Sequence, residues 1–176
     1  MKTFLFISAF LGLIIFATFV CFLIAKFRLQ RSYSYYAHLV DEKFPINRET
    51  RLWSIITVVV ALCLVPSMVE LGKGNPWQLL GFFAPVYLIV VACTPKYLED
   101  KRQRIIHFVG SGLCAVVTLA WLFFVAQVWW AVAITYLVAL LAAFATKTET
   151  TSYVLWGELG LFAAVFAALF FSLIMM

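Results

Sequence analysis

The stretch His107-Phe-Val-Gly-Ser-Gly-Leu-Cys-Ala-Val-Val-Thr-Leu-Ala-Trp121 decides how this chain is read. At helical spacing His107, Gly110 with Ser111, Cys114, Thr118 and Trp121 share one face, and the other faces carry Phe, Val, Leu and Ala. Polar and small side chains in a stripe along an apolar helix belong to a span packed among other spans. Working outward, residues 105–146 form a run of 42 with no acidic or basic side chain other than His107. A helix crosses a bilayer in about 20 residues, so this run must turn back on itself. Ala126-Gln-Val-Trp-Trp130 marks the turn, with one polar residue and paired interfacial aromatics.

Composition agrees with a membrane chain. Of 176 residues, 65% are hydrophobic and 12% charged, with a mean hydropathy of +1.04. Soluble domains carry about 25% charged residues. The net charge of +5 sits in the short gaps between apolar runs, where it reads as topology information and argues against a nucleic-acid partner. Cys21, Cys63, Cys93 and Cys114 each stand alone in an apolar run, without metal-ligand spacing, and read as small buried hydrophobes.

The fold class that follows is all-α, a polytopic helical bundle in a single domain over 1–176, with six transmembrane helices at about 3–25, 52–70, 77–94, 105–125, 128–146 and 153–175. The first run carries its basic flank after it, at Lys26, Arg28 and Arg31, so it reads as a retained span and not a cleaved leader. Pro66 lies near the end of the second span, and Pro85 in the middle of the third predicts a kink. Glu70-Leu-Gly-Lys-Gly-Asn-Pro-Trp77 reads as a tight turn with an interfacial tryptophan. Segments 26–51, 96–104 and 147–152 hold 11 of the 13 Lys and Arg residues. The positive-inside rule places these three segments in the cytoplasm and both termini outside it. Ser32-Tyr-Ser-Tyr-Tyr36 reads as an interfacial anchor or the mouth of a ligand site. The small-residue lines Gly110/Cys114/Thr118 and Gly157/Gly160/Ala164/Ala167/Ala168 are expected to serve helix packing or oligomer contact.

Glu158 is the one acidic residue deep in an apolar run, and His107 is the one histidine in such a run. Both lie near the cytoplasmic start of their helices, roughly 3 Å and 8 Å in for His107 and Glu158 at ~1.5 Å per residue. Three readings are open: a polar clamp between helices, a proton or ligand site, and two independent residues reaching interfacial water. Zinc hydrolysis lacks ligands and motif, and neither a GxSxG elbow nor a phosphate loop is present. No cofactor and no metal are expected.

The run Trp77-Gln-Leu-Leu-Gly-Phe-Phe-Ala84, then Thr94-Pro95, His107-Phe-Val-Gly110, Trp121 and Trp156-Gly-Glu158 resembles a family of small, uncharacterised six-span bacterial membrane proteins. That family's pattern has a Ser-rich Tyr-Tyr motif after the first span, matched by Ser32, Ser34, Tyr35 and Tyr36. Arg31 stands where the family has Pro, and Ala92-Cys-Thr94 replaces Gly-Ala-Ala. More distantly, the layout is similar to the six-span autophagy-modulator-like membrane proteins. The resemblance implies that the Ser/Tyr, His and Glu positions form one cytoplasm-facing site.

The candidate site residues are therefore Glu158 and His107 as the ionisable core, with Ser32, Tyr35, Tyr36, Trp121 and Trp156 around them. The expected function is binding or moving a lipid or small amphipathic molecule in the cell inner membrane. A structural or interaction protein, with self-association as one form, is the alternative, and a lipid-modifying enzyme the third. The bilayer itself is the first partner.

Overall fold

The structure, a computed structural model, describes residues 1–43, 52–146 and 153–175. Arg48, Arg51 and the polar loop Lys147–Ser152, on which the topology reading draws, lie outside the described residues. The helices are α1 (Lys2–Phe27), α2 (Tyr35–Lys43), α3 (Leu52–Leu71), α4 (Leu80–Ala92), α5 (Lys101–Phe124), α6 (Trp129–Ala145) and α7 (Tyr153–Met175), with no strand among the described residues. Of these, α1, α3, α5 and α7 are long and apolar enough to cross a membrane, while the apolar α4 and α6 are shorter.

The closely packed pairs of apolar helices run antiparallel. In α1 and α3, Ser8 Oγ donates to the Cys63 carbonyl at 2.7 Å and Ser67 Oγ to the Leu5 carbonyl at 2.9 Å. Successive contacts place Gly81 against Met68, Gly110 against Val90 and Val91, and Gly160 against Ala139, so α3, α4 and α5 form a row and α6 lies on α7. The last helix returns along the first, with Phe6 and Phe10 meeting Phe170 and Phe16 stacking on Phe162 at 4.2 Å. Both ends of the chain thus lie at one end of the bundle. The helices α5 and α6, joined by a turn at Val125–Val128, diverge from it and touch sparingly. Gln127 takes the left-handed conformation there, φ 54°.

Large apolar side chains cover the outside. On α5, Ile105, Ile106, Phe108, Val109, Leu113 and Val116 are all exposed. Water would not tolerate such a surface, whereas lipid solvates it without cost. The core mixes alanines with Leu and Val side chains and several large aromatic ones, among them the fully buried Trp53 and Trp121.

Two local rules set the ends. Asp100 caps α5 by accepting the Arg102 N–H at 2.8 Å, which lets that helix begin four residues before the apolar run does. Arg28 leaves α1 in the left-handed region at φ 59°, and its carbonyl accepts the Tyr36 hydroxyl at 2.7 Å. Tyr36, on the unanticipated helix α2, is therefore a buried brace of this reversal and not an anchor at the bilayer surface.

Candidate functional site

The segment between α1 and α2 is tied to the first turns of α7 by two backbone groups. The Leu155 N–H, one of the amides that a helix start leaves without a partner, donates to the Arg31 carbonyl at 3.2 Å. The Tyr33 N–H donates to Glu158 Oε2 at 2.6 Å. Ser32 shapes the segment by accepting the Tyr35 N–H at 3.1 Å and meeting the Ser34 hydroxyl at 3.2 Å. Tyr33 then points inward, its hydroxyl 3.2 Å from Thr57 Oγ1, and burial pushes its phenol well above the usual range.

Behind this strap lies a cavity of about 110 Å³, walled by α3, α4, α5 and α7. Its polar end is made by Glu158, Tyr33 and Ser34, and its walls are otherwise mostly apolar. Ser111, Cys114 and Thr118, the middle of the stripe on α5, line it, with Ala115 between them. The α3 and α4 walls, Trp53, Leu64, Met68, Ala84, Pro85, Leu88 and Val91, are buried, as are Tyr33 and Ser34. Partly exposed wall residues occur on α5 and α7 alone: Ser111, Cys114, Ala115, Glu158, Leu161 and Phe162. The mouth therefore opens sideways between these two helices, which touch only lightly. The indole N–H of Trp53 is buried with no hydrogen-bond partner among the described residues. Glu158 has no ion-pair partner among the described residues, where the one ion pair is Lys73 with Glu70.

His107 belongs to a neighbouring cluster. Its Nδ1 lies 3.0 Å from Thr94 Oγ1, and its ring stacks on Tyr97 with centroids 3.9 Å apart. Tyr97 connects the two regions: burial pushes its phenol up and Glu158 adds to the rise, while the hydroxyls of Ser34 and Ser32 and the charge of Arg31 pull it down. No hydrogen bond or ion pair joins His107 and Glu158 among the described residues.

The remaining candidates have structural partners. Tyr35 lies under the Arg31 guanidinium, 4.2 Å from ring centroid to Cζ. Trp121 donates to the Met68 carbonyl at 3.1 Å, and Trp156 to Thr146 Oγ1 at 2.8 Å. Ser32, Tyr35, Tyr36, Trp121, Trp156 and His107 are not among the residues lining the cavity; Glu158 is.

Sequence reasoning missed Tyr33 and Trp53. Tyr33 sits in the middle of a Ser/Tyr patch whose members look alike, and Trp53 beside Arg51 reads as one more interfacial tryptophan. No signal in the sequence separates them from their neighbours. No protein-family model, curated protein or solved structure matches the chain.

Proposed function

We propose that the chain is a six-span protein of the bacterial inner membrane, with both termini outside the cytoplasm, that binds or moves a lipid or small amphipathic molecule. The apolar part of that molecule occupies the cavity and its polar part meets Glu158 at the cytoplasmic end. The observation that carries this reading is the sideways mouth of an apolar cavity with a carboxylate at one end. At about 110 Å³ the cavity is somewhat smaller than the ~150 Å³ engineered cavity that takes benzene, so it holds part of an amphiphile and leaves the rest in the bilayer.

Support for the crossing pattern comes from the antiparallel order of the six apolar helices and from the basic residues gathered after α4 and in the first turn of α5, Lys96, Lys101, Arg102 and Arg104. In a cysteine-free background, Lys73→Cys is expected to react with a membrane-impermeant maleimide on intact cells, and Lys101→Cys only after lysis. The reverse pattern would invert the topology.

Binding is tested by narrowing the cavity. Purified wild-type protein is expected to retain a defined amphiphile in mass spectra of its extracted lipids. Ala115→Phe, at the partly exposed wall, is expected to retain less than about a tenth of it. A wild-type protein that carries nothing specific, or a plugged variant that carries as much, would end the proposal.

The second reading, in which Glu158 only holds the strap to α7, is favoured by the 2.6 Å bond from the Tyr33 N–H. Hydrogen bonds to charged groups contribute about 1.5–3 kcal/mol. Under that reading Glu158→Ala lowers stability by this amount, Glu158→Gln keeps most of it through its amide oxygen, and neither changes bound amphiphile.

A further inference from the structure

The proposed function leaves open what kind of polar group meets Glu158. We infer that it is a protonated amine on an apolar chain; this rests on the cavity being a binding site at all. Three observations converge on that chemistry. First, Glu158 lies at the end of a mostly apolar cavity, and no cation of the chain forms an ion pair with it among the described residues. A charged carboxylate at the end of an apolar cavity is stabilised by a positive partner, and among the described residues the chain supplies none. Second, the same end is aromatic. Tyr33, Trp53 and Phe162 all line the cavity, with Tyr33 5.4 Å from Trp53 and 6.0 Å from Phe162 between ring centroids. Aromatic faces attract alkylammonium groups through their quadrupoles, most strongly where water is excluded. Third, the wall carries no Lys, Arg or His. A phosphate would find no cation among the described wall residues and would face the Glu158 carboxylate, which disfavours phospholipid head groups and leaves a simple amine.

A hydroxyl is the nearest competitor, since it could accept from the unpartnered Trp53 indole and donate to Glu158. It would leave the carboxylate's charge uncompensated. An unpaired charge against apolar walls costs more than one unfilled N–H, so the amine is favoured.

The test uses three ligands with the same twelve-carbon chain: dodecylamine, dodecanol and a lauroyl lysophosphatidylethanolamine. Binding is measured by equilibrium dialysis with the full chain in maltoside micelles, against protein-free micelles. Wild type is expected to bind dodecylamine at least tenfold tighter than the other two. Glu158→Gln, which keeps the acceptor for the Tyr33 N–H, is expected to bind amine and alcohol equally. Phe162→Leu removes an aromatic face at the partly exposed wall and leaves the Tyr33 N–H bond to Glu158 in place; it is expected to weaken amine binding severalfold and leave dodecanol unchanged. Equal binding of amine and alcohol by wild type would overturn the amine and leave the cavity reading standing. Lysophospholipid binding as tight as the amine would also overturn it. No binding of any ligand above the Ala115→Phe level would remove both.

Discussion

Replacing Trp121 by alanine lowers the stability of the bundle by about 3 kcal/mol, the lower end of the ~3–5 kcal/mol range for deleting a buried tryptophan. The lower end applies because lipid is as apolar as the protein interior, so packing is lost but little hydrophobic transfer energy. Trp121 is fully buried and its indole donates to the Met68 carbonyl at 3.1 Å. Met68 lies in the last turn of α3, where a helix leaves its carbonyls short of partners, and at membrane depth water is absent to replace the donor. Trp121→Phe separates the two parts. It keeps most of the volume and loses the N–H, so its cost is expected at about 1 kcal/mol. Reversible unfolding in mixed micelles measures both, and equal losses for the two variants would mean that the hydrogen bond, and not the packing, carries the effect.

Gly81→Leu is expected to cost about as much, at the top of the ~1–3 kcal/mol range for overpacking, by the opposite mechanism. A Cβ at Gly81 would run into the carbonyl of Met68 and come within 3.1 Å of Trp121 Nε1. The obstacle is helix backbone, which cannot rotate away as a side chain can, so α4 must move off α3. Gly112 gives the control. Nothing lies within 4 Å of a Cβ built there, and Gly112→Ala is expected to stabilise α5 by about 0.5–1 kcal/mol. Should Gly81→Leu unfold with wild-type stability, the close approach of α3 and α4 would not be a feature of the protein.

Hydropathy alone places the long helices closely: residues 52–70 were expected for α3 and 153–175 for α7, against Leu52–Leu71 and Tyr153–Met175. It fails where polar chemistry sets a boundary. The first turn of α5 is charged, so an apolar window begins at Ile105 although Asp100 starts the helix. The third apolar run extends over 77–94, but Trp77–Leu79 are spent in turns, with Gln78 bonded back to Asn75 and the Asn75 side chain to the Phe124 carbonyl. Polar α2 has no apolar run to announce it. The cavity was half legible. Ser111, Cys114 and Thr118 repeat at helical spacing and so declare a shared face, and Glu158 stands out by its charge. Its partner does not, because the Tyr33 N–H is a backbone group that any residue except proline would supply. Depth along the helices put His107 and Glu158 at a similar level, but depth says nothing of lateral neighbours, and Thr94 and Tyr97 take up the histidine instead.

The bond from Tyr33 to Glu158 spans 125 residues of sequence. At synthesis rates of ~5–20 residues per second, roughly 6–25 s pass between the appearance of one partner and the other. During that interval the strap has no α7 to rest on, and the cavity lacks one wall. The site is thus completed only once α7 has been made and has joined the earlier helices. A ribosome that stops before α7 leaves behind the five apolar helices α1, α3, α4, α5 and α6 and no site, so a translation product of that kind carries none of the proposed activity.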